Sequence, residues 1–483
     1  MLFNSIDYLI FLPVVVALYF AIPSKWRWLL LLVASYYFYM CWKIEYVFLL
    51  MGTTLVSYFA ALKIGQLSSG KKKKRYLATA IILHLGLLAA FKYLDFFTES
   101  LNLLFKEINI LHPLPLFHIL LPIGISFYIF MSLSYIIDVH RGIREPEKHL
   151  GYFALYLSFF PQLVSGPITR SNQLLPQIRQ PQSFSQQHLV SGLKLILWGY
   201  FKKVVIADRL GMFVSYVYDN PAENTGLPVI LATLLFAFQL YCDFSAYTDI
   251  ARGSARILGY ELMINFNRPM IARSLRDFWN RWHISLTTWF RDYLLYSLPY
   301  VRKQKVIFGL IYLNLIITYL LMGLWHGAAW TFIIFGLFHG ILLVLETITE
   351  KYRNRLFDLV RLNEVAALKN ALGWVVTISL LSFSLLFFRA NSLGDSVLLI
   401  KNSLDFSGTK EAVRFMLRNG ELLFGLVMII VLMAAEFLHA KYDLTRIISG
   451  RPLIVRWGIY IGFIFFILVF GVLQKQKFIY FQF

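Results

Sequence analysis

Apolar residues run along this chain in blocks approaching 20 residues, separated by short polar stretches in which Lys and Arg gather. A helix needs about 20 such residues to cross the ~30 Å hydrocarbon layer of a bilayer. The blocks fall near 6–22, 28–42, 46–65, 76–97, 114–137, 150–167 and 189–207, then near 227–250, 306–323, 326–346, 371–388, 421–438 and 457–473. Some are short or carry Pro and Gly, as re-entrant and interfacial segments do, so the pattern predicts about twelve true crossings. The expected fold is an all-α polytopic membrane protein with re-entrant or interfacial helices between its spans. Two stretches break the pattern. Thr169 to His188 is polar and rich in Gln, and Met263 to Lys305 mixes Arg with Trp and Phe at helix-like spacing. Apolar faces with basic flanks predict helices lying in or dipping from the cytoplasmic interface. A belt that only anchors the fold is the plain alternative.

Composition supports the membrane reading and corrects a first impression of the charge. Hydrophobic residues make up 58% and charged residues 15%, against about 25% charged in soluble proteins, and mean hydropathy is +0.64. The formal charge of +20 would suit a nucleic-acid surface, but the cations sit in clusters between apolar blocks, as cytoplasmic loops do. Cys41 and Cys242 lie in apolar stretches and imply neither a disulfide framework nor a metal site. The first block begins almost at Met1 without a basic leader or a small-residue cleavage site, so that span is expected to remain in the mature protein. Basic loops at Ser24–Trp28 and Ser68–Tyr76 are separated by two spans, so both can be cytoplasmic. Lys441, Arg446, Arg451 and Arg456 outweigh Asp443 before the last span. Both termini are then expected outside, with FIYFQF (Phe478–Phe483) on the outer face.

Histidines at membrane depth are the candidate chemistry, because a polar group there needs a partner or a function. His326 sits in LMGLWHGAAW between Gly323 and Gly327, whose size lets a ligand or another backbone approach closely. His283 sits in FWNRWHISL, between a basic and an apolar stretch. For each, a structural role with a hydrogen bond to a backbone carbonyl stands beside a functional one. His339 competes, although a single helix over 326–339 would hold it roughly 20 Å from His326. His84, in IILHLGLL, reads as structural. Asp243 and Asp249 in YCDFSAYTDI mark either a cavity or a pairing with Arg252 or Arg256.

The segments LPIGISFYIFMSLSYIIDVHRG, FFPQLVSGPITR, GYFKKVVIADRL, FQLYCDFSAYTDIARGSARILGY, FWNRWHISLTTWFRDYLLY and GLWHGAAW occur in that order. In this they resemble the membrane-bound O-acyltransferase family, in the bacterial branch that holds the alginate and peptidoglycan O-acetyltransferase membrane subunits. The likeness spans nearly the whole chain. It implies helices around a transmembrane tunnel, a cytoplasmic acetyl-CoA donor and an acceptor arriving from the other side. The histidine of the family's W-H-G motif falls on His326, the implied catalytic base, and its upstream motif histidine on His283. Arg281, Trp282 and Arg291 become candidates for the CoA end, with snorkelling to lipid phosphate as the plain fate of either arginine. Three departures touch the cytoplasmic mouth: Ala246 replaces a Gly, Met270 replaces a Tyr, and SLPYVRK stands where a glycine pair is usual.

In the D-alanine-exporting relatives a separate single-span microprotein carries an aromatic C-terminal motif with a proposed acyl-accepting tyrosine. Residues 457–483 resemble that partner fused after a core of residues 1–456, which makes Tyr480 a candidate acyl carrier. An aromatic interfacial belt is the plain reading. A phenol of pKa about 10 facing an imidazole near 6.5 leaves roughly 5 kcal/mol against a pre-formed ion pair, so His326 would act as general base during attack on the thioester, with His283 orienting it or stabilising the oxyanion. The resemblance also implies a bacterial inner-membrane location and an extracytoplasmic SGNH-hydrolase-like transferase acting on an exported polysaccharide. D-Alanyl or other acyl transfer on the same fold, a transporter, and a silent scaffold of an export complex are the alternatives. Neither paired broken helices nor a repeat in matching halves supports the transporter.

Overall fold

A computed structural model describes residues 1–109, 113–298, 308–407, 409–442, 444–472 and 478–479, and the described residues form helices without a strand. Among the described residues, eight helices are long and apolar enough to cross a membrane: Tyr46–Gln66, Lys71–Glu107, Leu227–Ile257, Gly309–His326, Trp330–Leu359, Ala366–Arg389, Gly420–Lys441 and Leu453–Phe470. Other apolar blocks fold as shorter helices, among them Ile6–Ala21, Arg27–Met40 and Ile125–Arg141. The block near 150–167 divides into Leu150–Ser158 and Phe160–Leu163.

The chain forms two compact units that interleave along the sequence. The first comprises Met1–Ile196, Tyr247–Ile264 and Arg291–Tyr293. Within it, Ile125–Arg141 is buried on nearly every face, so its residues are apolar or small all round rather than in a stripe. Left-handed glycines bound this helix, Gly124 at φ 77° and Gly142 at φ 73°, and a Cβ on Gly124 would lie 2.4 Å from the Leu163 carbonyl oxygen. Buried hydroxyls tie distant segments together: Tyr8 to Ser254 at 2.7 Å and Tyr19 to Tyr260 at 2.9 Å. His84 is held by the Ser57 hydroxyl and the Ala80 carbonyl, the structural role its sequence setting suggested.

The second unit comprises Leu197–Ala246, Asn265–Phe290 and Leu294–Phe483. Its centre is a hairpin of Phe308–His326 and Trp330–Leu359, closed by Gly327, Ala328 and Ala329. Glycine sets the approach of the two helices, as small residues do in membranes. A Cβ on Gly323 would stand 2.3 Å from the Phe332 carbonyl oxygen, and one on Gly336 2.3 Å from that of Tyr319. The close neighbour that Gly323 admits is therefore another backbone. Within the stretch expected to lie in or dip from the interface, Leu275–Arg281 and Ile284–Trp289 form short helices. Its Trp279, Trp282 and His283 are 4%, 5% and 0% exposed, which rules out an anchoring belt for these side chains.

Candidate active site

His326 is the last residue of its helix, and only glycine fits directly after it, because a Cβ on Gly327 would meet the Phe332 ring at 2.1 Å. The break leaves the imidazole against a small cavity. Met270, Phe278, Trp282, Phe335 and Phe388 wall that cavity with Leu240, Leu381 and Leu385, so apart from His326 its lining is apolar and aromatic. The His326 ring packs edge-on to Phe388 at 5.2 Å and to Phe335 at 6.0 Å. Met270, one of the departures from the family pattern, places a thioether in this wall.

His283 adopts the left-handed conformation at φ 42° and caps Ile284–Trp289. A brace made by Asn265 holds it there. The Asn265 side-chain oxygen accepts the Ser285 backbone N–H at 3.0 Å and the Ser285 hydroxyl at 2.9 Å, and it lies 3.2 Å from His283 Nδ1. An oxygen already serving as acceptor leaves Nδ1 as the donor, so neutral His283 turns the lone pair of Nε2 outward. The residue lies outside the membrane-spanning helices, and its complete burial pushes the imidazole pKa down to about 3. A donor role toward an oxyanion would need a second proton that this environment disfavours. Trp325 joins the two histidines, with its ring 5.7 Å from His283 and 5.2 Å from His326.

His339 is nearer to His326 than a single helix would allow. The chain breaks between them, and Phe335 touches both rings, at 4.7 Å from His339 and 6.0 Å from His326. What sets His339 apart is its closed hydrogen bonding. Nδ1 accepts the Trp279 indole N–H at 3.3 Å, while Nε2 donates to Ser384 Oγ at 2.9 Å, whose hydrogen goes to the Leu381 carbonyl at 2.7 Å.

Phe478 and Ile479, the last described residues, are buried in the second unit, 2% and 5% exposed. Phe478 packs on Phe244 at 5.6 Å, and Phe244 packs edge-on to His283 at 4.7 Å. The Ile479 backbone N–H donates to Asp243 Oδ2 at 2.8 Å, while Asp243 Oδ1 pairs with Lys203 at 2.6 Å and Lys203 pairs with Asp208 at 2.8 Å. The partner of Asp243 is thus Lys203, not Arg252 or Arg256; Asp249 does meet Arg252, at 3.7 Å. Tyr480 lies outside the described residues.

Among the other candidates, Trp282 joins His326 at the cavity. Arg281 pairs with Asp277 at 2.6 Å, and half-exposed Arg291, in the first unit, with Asp292 at 2.9 Å. Sequence reasoning passed over Asn265, Trp325 and Lys203. An Asn in the NFN stretch, 18 residues before His283, was the available signal for the first.

The model of the membrane-bound O-acyltransferase family matches residues 147–388. The chain is 38% identical over 395 residues to a probable alginate O-acetylase of Azotobacter vinelandii, covering 81% of this chain and 76% of that one. It is 33% identical over 428 residues to a peptidoglycan O-acetyltransferase of Helicobacter pylori, covering 82% and 77%. A teichoic acid D-alanyltransferase of Streptococcus thermophilus is 32% identical over 237 residues, covering 46% and 56%.

Proposed function

The chain belongs to the membrane-bound O-acyltransferase family, and we propose that it passes an acetyl group from cytoplasmic acetyl-CoA across the inner membrane toward an exported polysaccharide. It is an O-acyltransferase; the donor, the acyl group and the route are the proposal. The observation that carries it is the placement of His326 on a small apolar cavity walled by Trp282, Phe335 and Phe388. Such a space suits a short uncharged acyl chain and keeps water from the thioester. A D-alanyl group would bring an ammonium into that space, and the lining residues include no carboxylate to receive it.

In this reading His326 takes the proton of an attacking hydroxyl as its oxygen bonds to the thioester carbonyl carbon. The C–S bond then breaks, and the proton passes to the departing CoA thiolate. His283, braced by Asn265 with Nε2 as acceptor, takes the orienting role. Tyr480 supplies the hydroxyl. Support comes from the two residues before it, which are anchored at Asp243 and against Phe244, beside His283. The acyl group then passes to an extracytoplasmic SGNH-hydrolase-like transferase, with both termini of the chain on that side.

Intact-protein mass spectrometry after incubation with isotopically heavy acetyl-CoA tests the scheme. A heavy acetyl on the C-terminal peptide of wild type, absent in Tyr480→Phe and His326→Ala, supports the relay. His326-dependent transfer to a partner without label on that peptide would reduce the tail to an anchor.

A further inference from the structure

The first unit gathers guanidinium groups around Tyr293. The Tyr293 hydroxyl donates to Asp138, 2.9 Å from either carboxylate oxygen. Arg170 lies over the Tyr293 ring at 4.8 Å and Arg141 at 5.4 Å. Arg141 donates to the Asp292 backbone carbonyl at 3.0 Å. The Asp292 carboxylate accepts from Arg291 at 2.9 Å and stands 3.8 Å from Arg170 Nη2, beyond hydrogen-bond length. Arg144, within electrostatic reach of Asp138, donates its Nε to the Glu145 backbone carbonyl. Glu147 is taken by Arg179 at 2.6 Å, and the Glu145 side chain is exposed to solvent.

Arg170 thus has Asp138 and Asp292 as its nearby carboxylates, and Arg144, which lies over the Tyr135 ring at 5.4 Å, has Asp138. Arg170 is 9% exposed, yet Nη1 and Nη2 are buried with no hydrogen-bond acceptor among the described residues. Arg144 Nη1 is in the same condition, as is the hydroxyl of Ser171, the next residue after Arg170. A buried guanidinium without acceptors is strongly unfavourable. The idle Nη1 and Nη2 of Arg170 and the idle Nη1 of Arg144 ask for an anion with several oxygens, and phosphate matches the guanidinium fork in charge and geometry. We propose that Arg170 and Arg144, with Arg141 and Arg291 beside them, form a binding site for a phosphate group. The group is carried either by a soluble phosphate ester or by a phospholipid head.

The test uses the full chain, delipidated in neutral detergent, with inorganic pyrophosphate as soluble probe and phosphatidylglycerol as lipid probe. Variants are Arg144→Gln, at a half-buried position that tolerates change, and Arg170→Lys, which keeps the charge and loses the fork. Pyrophosphate is expected to raise the melting temperature of wild type. Its affinity should fall about tenfold or more in Arg144→Gln and by less in Arg170→Lys, as expected for one charge-assisted bond. If native mass spectrometry instead shows phosphatidylglycerol retained by wild type and released by Arg144→Gln while pyrophosphate does nothing, the phosphate belongs to lipid. If neither probe binds in a manner that depends on Arg144 and Arg170, water fills the cluster and the proposal fails.

Discussion

The backbone N–H of Ile479 donates to the carboxylate of Asp243 at 2.8 Å, joining the end of the chain to the middle of the helix Leu227–Ile257. The same carboxylate holds Lys203, which in turn holds Asp208. Replacing Asp243 by Leu removes the acceptor for the tail and half the counter-charge of Lys203. The tail should then become accessible to carboxypeptidase, and acetyl labelling of the C-terminal peptide should fall. Asp243→Asn keeps an acceptor for Ile479, at a loss of about 1–3 kcal/mol for the charged bond, and should retain more label than the Leu variant. Equal resistance of wild type and Asp243→Leu to carboxypeptidase would count against the latch.

His326 stands at a cavity rather than inside a packed layer, so its removal should act on chemistry more than on folding. His326→Ala is expected to lower acyl transfer by about 10²–10⁴-fold, the range of a lost general base. Its melting temperature in detergent should stay close to wild type. A large drop in melting temperature with partial activity would mark His326 as structural.

Full burial of His283 couples stability to pH. Its pKa is about 3 in the folded protein and near 6.5 unfolded, so below about pH 6.5 the unfolded chain takes up a proton that the folded chain refuses. The stability from neutral His283 is therefore complete above about 6.5 and declines as pH falls toward 3, with a ceiling of about 5 kcal/mol. His283→Asn suits the left-handed backbone and should flatten this acid limb by about one proton. Urea denaturation in detergent at pH 4.5, 5.5 and 7 reads the slope.

Gly323 and Gly309 lie on one helix but meet different surroundings. A Cβ at 323 would stand 2.3 Å from the Phe332 carbonyl oxygen, whereas one at 309 meets nothing within 4 Å. Gly323→Ala should push the hairpin apart and destabilise by about 1–3 kcal/mol, as overpacking does. Gly309→Ala should be neutral or stabilise by up to about 1 kcal/mol. Thermal melts of the two variants side by side decide it; the same shift in both would refute the close crossing.

Apolar block length made the long spans legible, because a bilayer forces helix wherever about 20 apolar residues run together. His326 was legible too, since glycines framing a histidine at membrane depth are uncommon without a reason. In the stretch from Met263 to Lys305, composition set Arg beside Trp without showing which side chains turn inward. In the fold, Arg281 is satisfied by Asp277 one turn earlier, so the tryptophans can turn inward. The Asn265 brace and the Lys203–Asp243 pair were hidden for another reason. Each joins residues 18 or more positions apart with no periodic signature. The separation of His339 from His326 was argued from an unbroken helix, and the Gly-Ala-Ala turn removes that premise.

Phe478 and Ile479 are packed as tightly as residues in the middle of the chain. A stop codon just ahead of them would therefore delete core contacts together with the amide hydrogen that the Asp243 carboxylate accepts. Affinity handles appended after Phe483 load the same joint. Expression designs for this chain should carry their handle elsewhere, and loss of the last six codons should be scored as an interior lesion.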